Sequence, residues 1–166
     1  MSARATMYTL AAGLVVVLAA AMTSSRSWFE AYTSGTQTLS LRGKASYGTV
    51  GMEGSGAAPF VVTLGADAPD GAVLFTKADG RPLAPGVYPL DEDPDRGVQA
   101  LVITGPATRP TGAYRARSGT LTIGGVRGDV LDGYFTLDAV GFAADRPSDE
   151  GRELQVRGAF SASRDH

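Results

Sequence analysis

The sequence contains no cysteine. That excludes disulfides, thiolate metal sites, covalent haem attachment and the lipid-bearing cysteine of bacterial lipoproteins. Histidine is almost as scarce, because the single one is His166, the last residue. A serine activated by an imidazole base and a histidine-built zinc site therefore have no material inside the chain. An excess of one charge is missing too. Fifteen basic and 17 acidic side chains leave a formal net charge of −2, with no basic stripe to attract nucleic acid. The glycine-rich stretch Gly48–Gly56 lacks the Lys-Ser/Thr of a phosphate loop and leads into no helical pattern. Paired carboxylates can cleave glycosides, but 17 acidic residues make some pair inevitable by chance, so a pair carries no weight. These absences point to a protein that is not an enzyme and holds no cofactor.

Charge is also missing from one long segment. Between Ala5 and Ser25 no side chain is charged at neutral pH, and Leu10 to Met22 is wholly apolar. Tyr8 stands near one end; Trp28, Phe29 and Tyr32 stand beyond the other. As a helix, Tyr8 to Trp28 spans about 30 Å, the thickness of a hydrocarbon core, and aromatic residues at both ends fit the two interfaces. Two readings compete. In the first, Arg4 opens a signal peptide cleaved near Ala19-Ala20-Ala21. In the second, favoured by the aromatic cluster after the segment, it is a retained anchor. A short tail ahead of a first helix usually stays in the cytoplasm, which puts the remainder outside, in the periplasm of a bacterial inner-membrane protein. No charged group lies in the segment to serve a proton or ion path, and no histidine to ligate a chlorophyll magnesium. Thr9, Ala12, Gly13 and Ala19 form small patches that suit close helix packing; a purely lipid-facing anchor is the other option.

The division expected from the sequence is 1–33 for tail, transmembrane helix and interfacial aromatics, and 34–166 for an all-β domain. Thr36–Arg42 alternates polar and apolar residues. Phe60–Leu64, Ala72–Thr76 and Gly97–Thr104 are short apolar runs bounded by turn signals, and Val87–Leu90 carries Pro89, which suits an edge strand. Tyr47–Gly56 reads as loop or irregular edge. Gly119–Ile123, Asp132–Phe142 and Glu153–Ser161 alternate cleanly. About eight strands with no helical period predict an antiparallel β-sandwich or small barrel, preceded by the one helix.

The densest acidic run is Asp91-Glu92-Asp93-Pro94-Asp95. Carboxylates at Asp91, Asp93 and Asp95 match the first ligands of a calcium loop. The loop's sixth position, where glycine is needed, is Arg96, and its twelfth, where a bidentate glutamate is needed, is Val102. A solvated turn is the plainer reading and a weak calcium site the other. The mixed-sign run Asp145–Glu153 is an exposed loop or a partner contact.

The last three strand patterns, Ser118-Gly-Thr-Leu-Thr-Ile123, Asp132-Gly-Tyr-Phe-Thr-Leu137 and Leu154-Gln-Val-Arg-Gly-Ala-Phe-Ser161, resemble those of small bacterial envelope β-sandwich domains of unassigned function. The chain departs from the many lipoproteins among them by lacking the cysteine. In layout alone, with short tail, one helix and outer β domain, it is similar to an accessory subunit of the reaction-centre–light-harvesting supercomplex of phototrophic bacteria. That resemblance implies a stabilising role with no pigment ligand from this chain's histidines. The expected partners are membrane lipid and other membrane-protein subunits, the latter gathered into a larger complex that the chain braces. The alternative is a periplasmic binding module for a small apolar ligand or calcium.

Overall fold

The computed structural model describes residues 27–51, 58–143 and 151–165. The expected transmembrane helix, with Tyr8, Thr9, Ala12, Gly13 and Ala19, lies outside them, as does most of the polar run from Asp145. Among the described residues no helix is long and apolar enough to cross a membrane.

The described residues form ten strands: β1 (Trp28–Gly35), β2 (Ser40–Gly43), β3 (Ala45–Thr49), β4 (Phe60–Leu64), β5 (Gly71–Lys77), β6 (Gly86–Pro89), β7 (Gln99–Thr104), β8 (Gly112–Arg127), β9 (Val130–Ala143) and β10 (Arg152–Arg164). Seven of them close a barrel in the order β3-β4-β5-β7-β8-β9-β10, and β10 returns to β3. The fold class expected from the sequence therefore resolves to a barrel. The closing contact is short and parallel, Ser163 with Ser46 and Arg164 with Tyr47. The remaining strands fill the corners. β1 and then β2 extend from the free side of β10, and β6 pairs with the C-terminal half of β8 beyond the reach of β7. β6 pairs with one strand only, which is where Pro89, lacking an N–H, can be accommodated.

The long strands exist because glycine lets the ladder continue through local irregularities. β8 runs for 16 residues, where the sequence pattern predicts only Gly119–Ile123. Its register with β9 shifts between Ala116 and Ser118 and again between Ile123 and Gly125. Gly119 has φ of 134°, a conformation that L side chains rarely adopt. The β8–β9 hairpin closes through Gly128 and Asp129, with Gly128 at φ of 57°.

Two expectations are corrected. The first strand begins at Trp28, so the domain boundary placed at 33/34 falls inside β1. Phe29, Ala31 and Thr33 point inward, and Phe29 is only 2% exposed. Phe29 is thus a core residue, unavailable to a membrane interface. Trp28 is half-buried and Tyr32 lies exposed on the outside of the sheet. Likewise Ala45–Thr49 is the regular strand β3, although Tyr47–Thr49 falls in the stretch expected as loop or irregular edge, and Ala45 and Tyr47 turn inward.

The core is filled by side chains from all around the barrel. At its centre the Phe75 ring meets Phe135 edge-on at 5.0 Å and lies over Phe160 at 6.5 Å. Tyr47 and Phe60 pack at 5.8 Å nearer one end. Leu83, from the β5–β6 connection, is buried against the same cluster. That connection starts with a turn in which Lys77 donates to Asp79 and the Arg81 N–H donates to the same carboxylate at 3.0 Å. The Lys77 hydrogen bond, chiefly, holds the Asp79 carboxyl below its ordinary range. The turn's ionic support is therefore complete at neutral pH and is lost as the pH falls through that lowered value.

Phe135→Ala should cost about 3–5 kcal/mol of stability, as expected for truncating a buried aromatic. Its outward neighbour Thr136→Ala should stay within about 0.5 kcal/mol of the parent. Urea unfolding followed by the fluorescence of Trp28, the sole tryptophan, reads both; equal losses would contradict the inside–outside assignment of β9.

Candidate interaction surface

Side chains fill the middle of the barrel, while at one end a cleft of about 520 Å³ opens between Tyr47, Phe60, Leu83, Val126, Leu131 and Arg164; the other features lie on the outside. The acidic loop is the first. Asp91 accepts the Asp93 N–H at 2.9 Å, and Asp93 accepts the Asp95 N–H at 3.0 Å. The other Asp93 oxygen faces Arg96 at 3.3 Å, and Glu92 faces Arg117 of β8 at 3.4 Å. Gln99 donates to the Glu92 carbonyl at 2.9 Å. The carboxylates of Asp91 and Asp93 thus hold successive turns of their own backbone. Among the described residues no cluster of three or more His, Cys, Asp or Glu side chains is placed to hold a metal ion.

The two outer faces of the barrel differ in chemistry. Across β6, β8, β9, β10, β1 and β2 the ladder aligns Val87, Thr122, Tyr134, Ala159, Glu30 and Arg42 in one row. The next row aligns Pro89, Thr120, Thr136, Arg157, Tyr32 and Ser40. This face mixes charged and hydroxyl side chains with exposed Val87, Tyr134 and Tyr32. Arg42 bonds Glu30 at 2.7 Å, and the Tyr32 hydroxyl donates to the same carboxylate. Hydrogen bonding to Tyr32 and then the charge of Glu30 raise the Arg42 pKa above its ordinary value. A shallow groove of about 420 Å³ runs between Tyr32, Thr136, Asp138, Gln155 and Arg157.

The outer face of β4, β5 and β7 is different. Strand alternation places eight side chains outward: Val61 and Thr63 on β4, Ala72, Leu74 and Thr76 on β5, and Gln99, Leu101 and Ile103 on β7. None of the eight is ionisable. Leu74 lies opposite Leu101, Ala72 opposite Ile103, and Val61 opposite Thr76. The apolar members are therefore contiguous. Leu101 is 38% exposed and the others are half-buried. A strand buried on both faces reads as a near-continuous apolar run, whereas a half-solvated one alternates. Phe60-Val-Val-Thr-Leu64, Ala72-Val-Leu-Phe-Thr76 and Ala100-Leu-Val-Ile103 are of the first kind, although the sheet buries only one of their sides.

The chain enters the barrel beside this face. Ser27 lines a cleft with Lys44, Ser46, Thr63, Ala66 and Asp67. Ser46 and Thr63 are paired and outward, and Thr63 lies next to Leu74. Ser27, the first described residue, therefore lies at the border of this face, beside Thr63. Of the residues expected at a membrane interface, Trp28 and Tyr32 belong to the charged sheet, Phe29 is internal, and Tyr8 lies outside the described residues. Sequence patterning alone does not single out the β4–β5–β7 face, because it does not say which strands are neighbours. The signal for it is the lack of any ionisable residue at alternate positions of three strands that turn out to be adjacent.

No family model matches the sequence, and neither a curated protein nor a solved structure matches it.

With two of the three acidic side chains engaged in backbone turns, millimolar calcium should leave the thermal midpoint of the barrel unchanged, and EDTA likewise. A midpoint that climbs with calcium concentration would instead reveal a bound ion.

Proposed function

We propose that the protein is a non-catalytic, single-span protein of a bacterial inner membrane, with a cytoplasmic N-terminus and a periplasmic barrel. In this reading it serves as a structural, accessory subunit of a larger membrane complex. The uncharged segment from Ala5 to Ser25 is its anchor, and the small residues Thr9, Ala12, Gly13 and Ala19 are its contacts with neighbouring helices. The observation that carries the reading is the uncharged outer face of β4–β5–β7 set beside the point where that segment meets the barrel. An exposed apolar patch on a small domain marks a contact site, and this one adjoins the membrane-directed end of the chain. Phe75, Phe135 and Phe160 fill the middle of the barrel, which leaves its outer faces and the end cleft beside Tyr47 and Phe60 as places for contact. By its layout, a photosynthetic reaction-centre–light-harvesting complex is the assembly we put forward for it.

Solubilisation of native membranes in mild detergent, followed by purification through a C-terminal tag, tests this. The expected product is the chain with Met1 intact, in fixed ratio with other membrane proteins, and pigment in the eluate would specify the photosynthetic case. A solitary product beginning near Met22 would overturn the reading and return the segment to the role of a cleaved signal peptide.

A further inference from the structure

We infer that the outer face of β4–β5–β7 is seated on the lipid surface of the membrane, in the boundary between headgroups and acyl chains, so that the barrel lies on its side against the bilayer. The inference rests on the anchored reading and names what its apolar face touches. Three observations support it, and the first of them favours lipid over a protein partner.

The first is composition. Val61, Leu74, Leu101 and Ile103 form the centre of a face without a single ionisable group. Ionisable groups stand only at its rim: Arg115 lies opposite Leu101 on β8, and Lys44 shares a cleft with Asp67 and Asp165 beyond β3. Long basic side chains around an apolar surface can lay their stems along it and reach phosphates with their heads. A protein interface would instead be expected to carry aromatic anchors at its centre, and here both exposed tyrosines, Tyr32 and Tyr134, are on the charged sheet.

The second is the backbone. β4 is hydrogen-bonded to β3 and β5, and β5 to β4 and β7, so the strands beneath the patch present no unpaired edge. A face whose peptide groups are already satisfied enters a poorly hydrated boundary without the cost of stranded donors and acceptors. The third is tethering. The chain leaves the barrel at Ser27 beside Thr63, so an anchor crossing the bilayer there holds the patch within a few residues of the surface. The charged face, with Glu30, Arg42 and Arg157, then points away from lipid.

The natural absence of cysteine allows a clean test. Leu101→Cys, Leu74→Cys and Thr136→Cys are made singly in the full chain, labelled with an environment-sensitive fluorophore, and reconstituted into vesicles of phosphatidylethanolamine and phosphatidylglycerol. Labels at 74 and 101 should show blue-shifted emission and lose most of it to lipid-borne nitroxides. The label at 136 should emit as in water and respond to aqueous iodide instead. A protein that stays with the vesicles through alkaline washing, yet whose labels at 74 and 101 respond like that at 136, overturns the inference and leaves the anchored reading intact. A protein that washes off the vesicles overturns the reading itself. Labels at 74 and 101 that are shielded but untouched by lipid nitroxides overturn the inference in favour of a protein cover. Leu101→Glu guards against labelling artefacts: its side chain is outward, so the melting temperature should hold, while a label at 74 should shift back toward its emission in water.

Discussion

The contact of Phe75 with Phe135 and Phe160 is what the rest of the barrel depends on. β5 belongs to the short strands that cross from β10 to β8, whereas β9 and β10 are long neighbours in the opposite wall. The three rings, 5.0 and 6.5 Å apart, join those walls, and aromatic pairs in such arrangements add to what burial alone contributes. Because successive side chains alternate across a strand, fixing Phe75 inward fixes Leu74 and Thr76 outward. The same holds for Tyr134 and Thr136 on either side of Phe135. The character of both outer faces is therefore a consequence of which residues the core has taken.

Much of this is legible in the amino-acid pattern. The alternation in β9 and β10, the edge position of β6 signalled by Pro89, and the all-β class follow from period-two patterns and turn residues. What is not legible has identifiable causes. β8 is interrupted in the sequence by Gly119, Gly124 and Gly125, which look like strand ends; in the folded chain bulges absorb the irregularity and pairing with β9 resumes. β3 is hidden because Gly48 sits among a run of glycines, and pairing with β4 overrides that local weakness. Trp28, Phe29 and Tyr32 look like an interfacial belt because all three are aromatic and follow an apolar segment. Only the inward set Phe29, Ala31 and Thr33 distinguishes a strand, and outward aromatic residues mask it.

The surface of the barrel divides its labour. One wall carries paired charges, hydroxyls and tyrosines, and its ion pairs, Glu30–Arg42 and Arg127–Asp132, are well exposed. Exposed pairs of this kind contribute little to stability, so their worth is in keeping that wall wetted. None of the eight outward side chains of β4, β5 and β7 forms an ion pair, and their only hydroxyls are those of Thr63 and Thr76. The asymmetry would orient the domain at any boundary between water and a less polar phase. The acidic loop contributes to neither; it is a self-braced turn held to β8 by Arg117 and to β7 by Gln99.

The first strand lies against the last. β1 pairs with β10 from Trp28–Ser161 to Gly35–Leu154, and the short closing contact with β3 also comes from β10. β1 consequently has no hydrogen-bonded strand partner but β2 until β10 has been synthesised. Pairings of such wide sequence separation form slowly. Folding is therefore timed by β10: until that strand is made the chain is an open half-barrel, in which Phe29 and Phe75 lack the cover that β10 supplies.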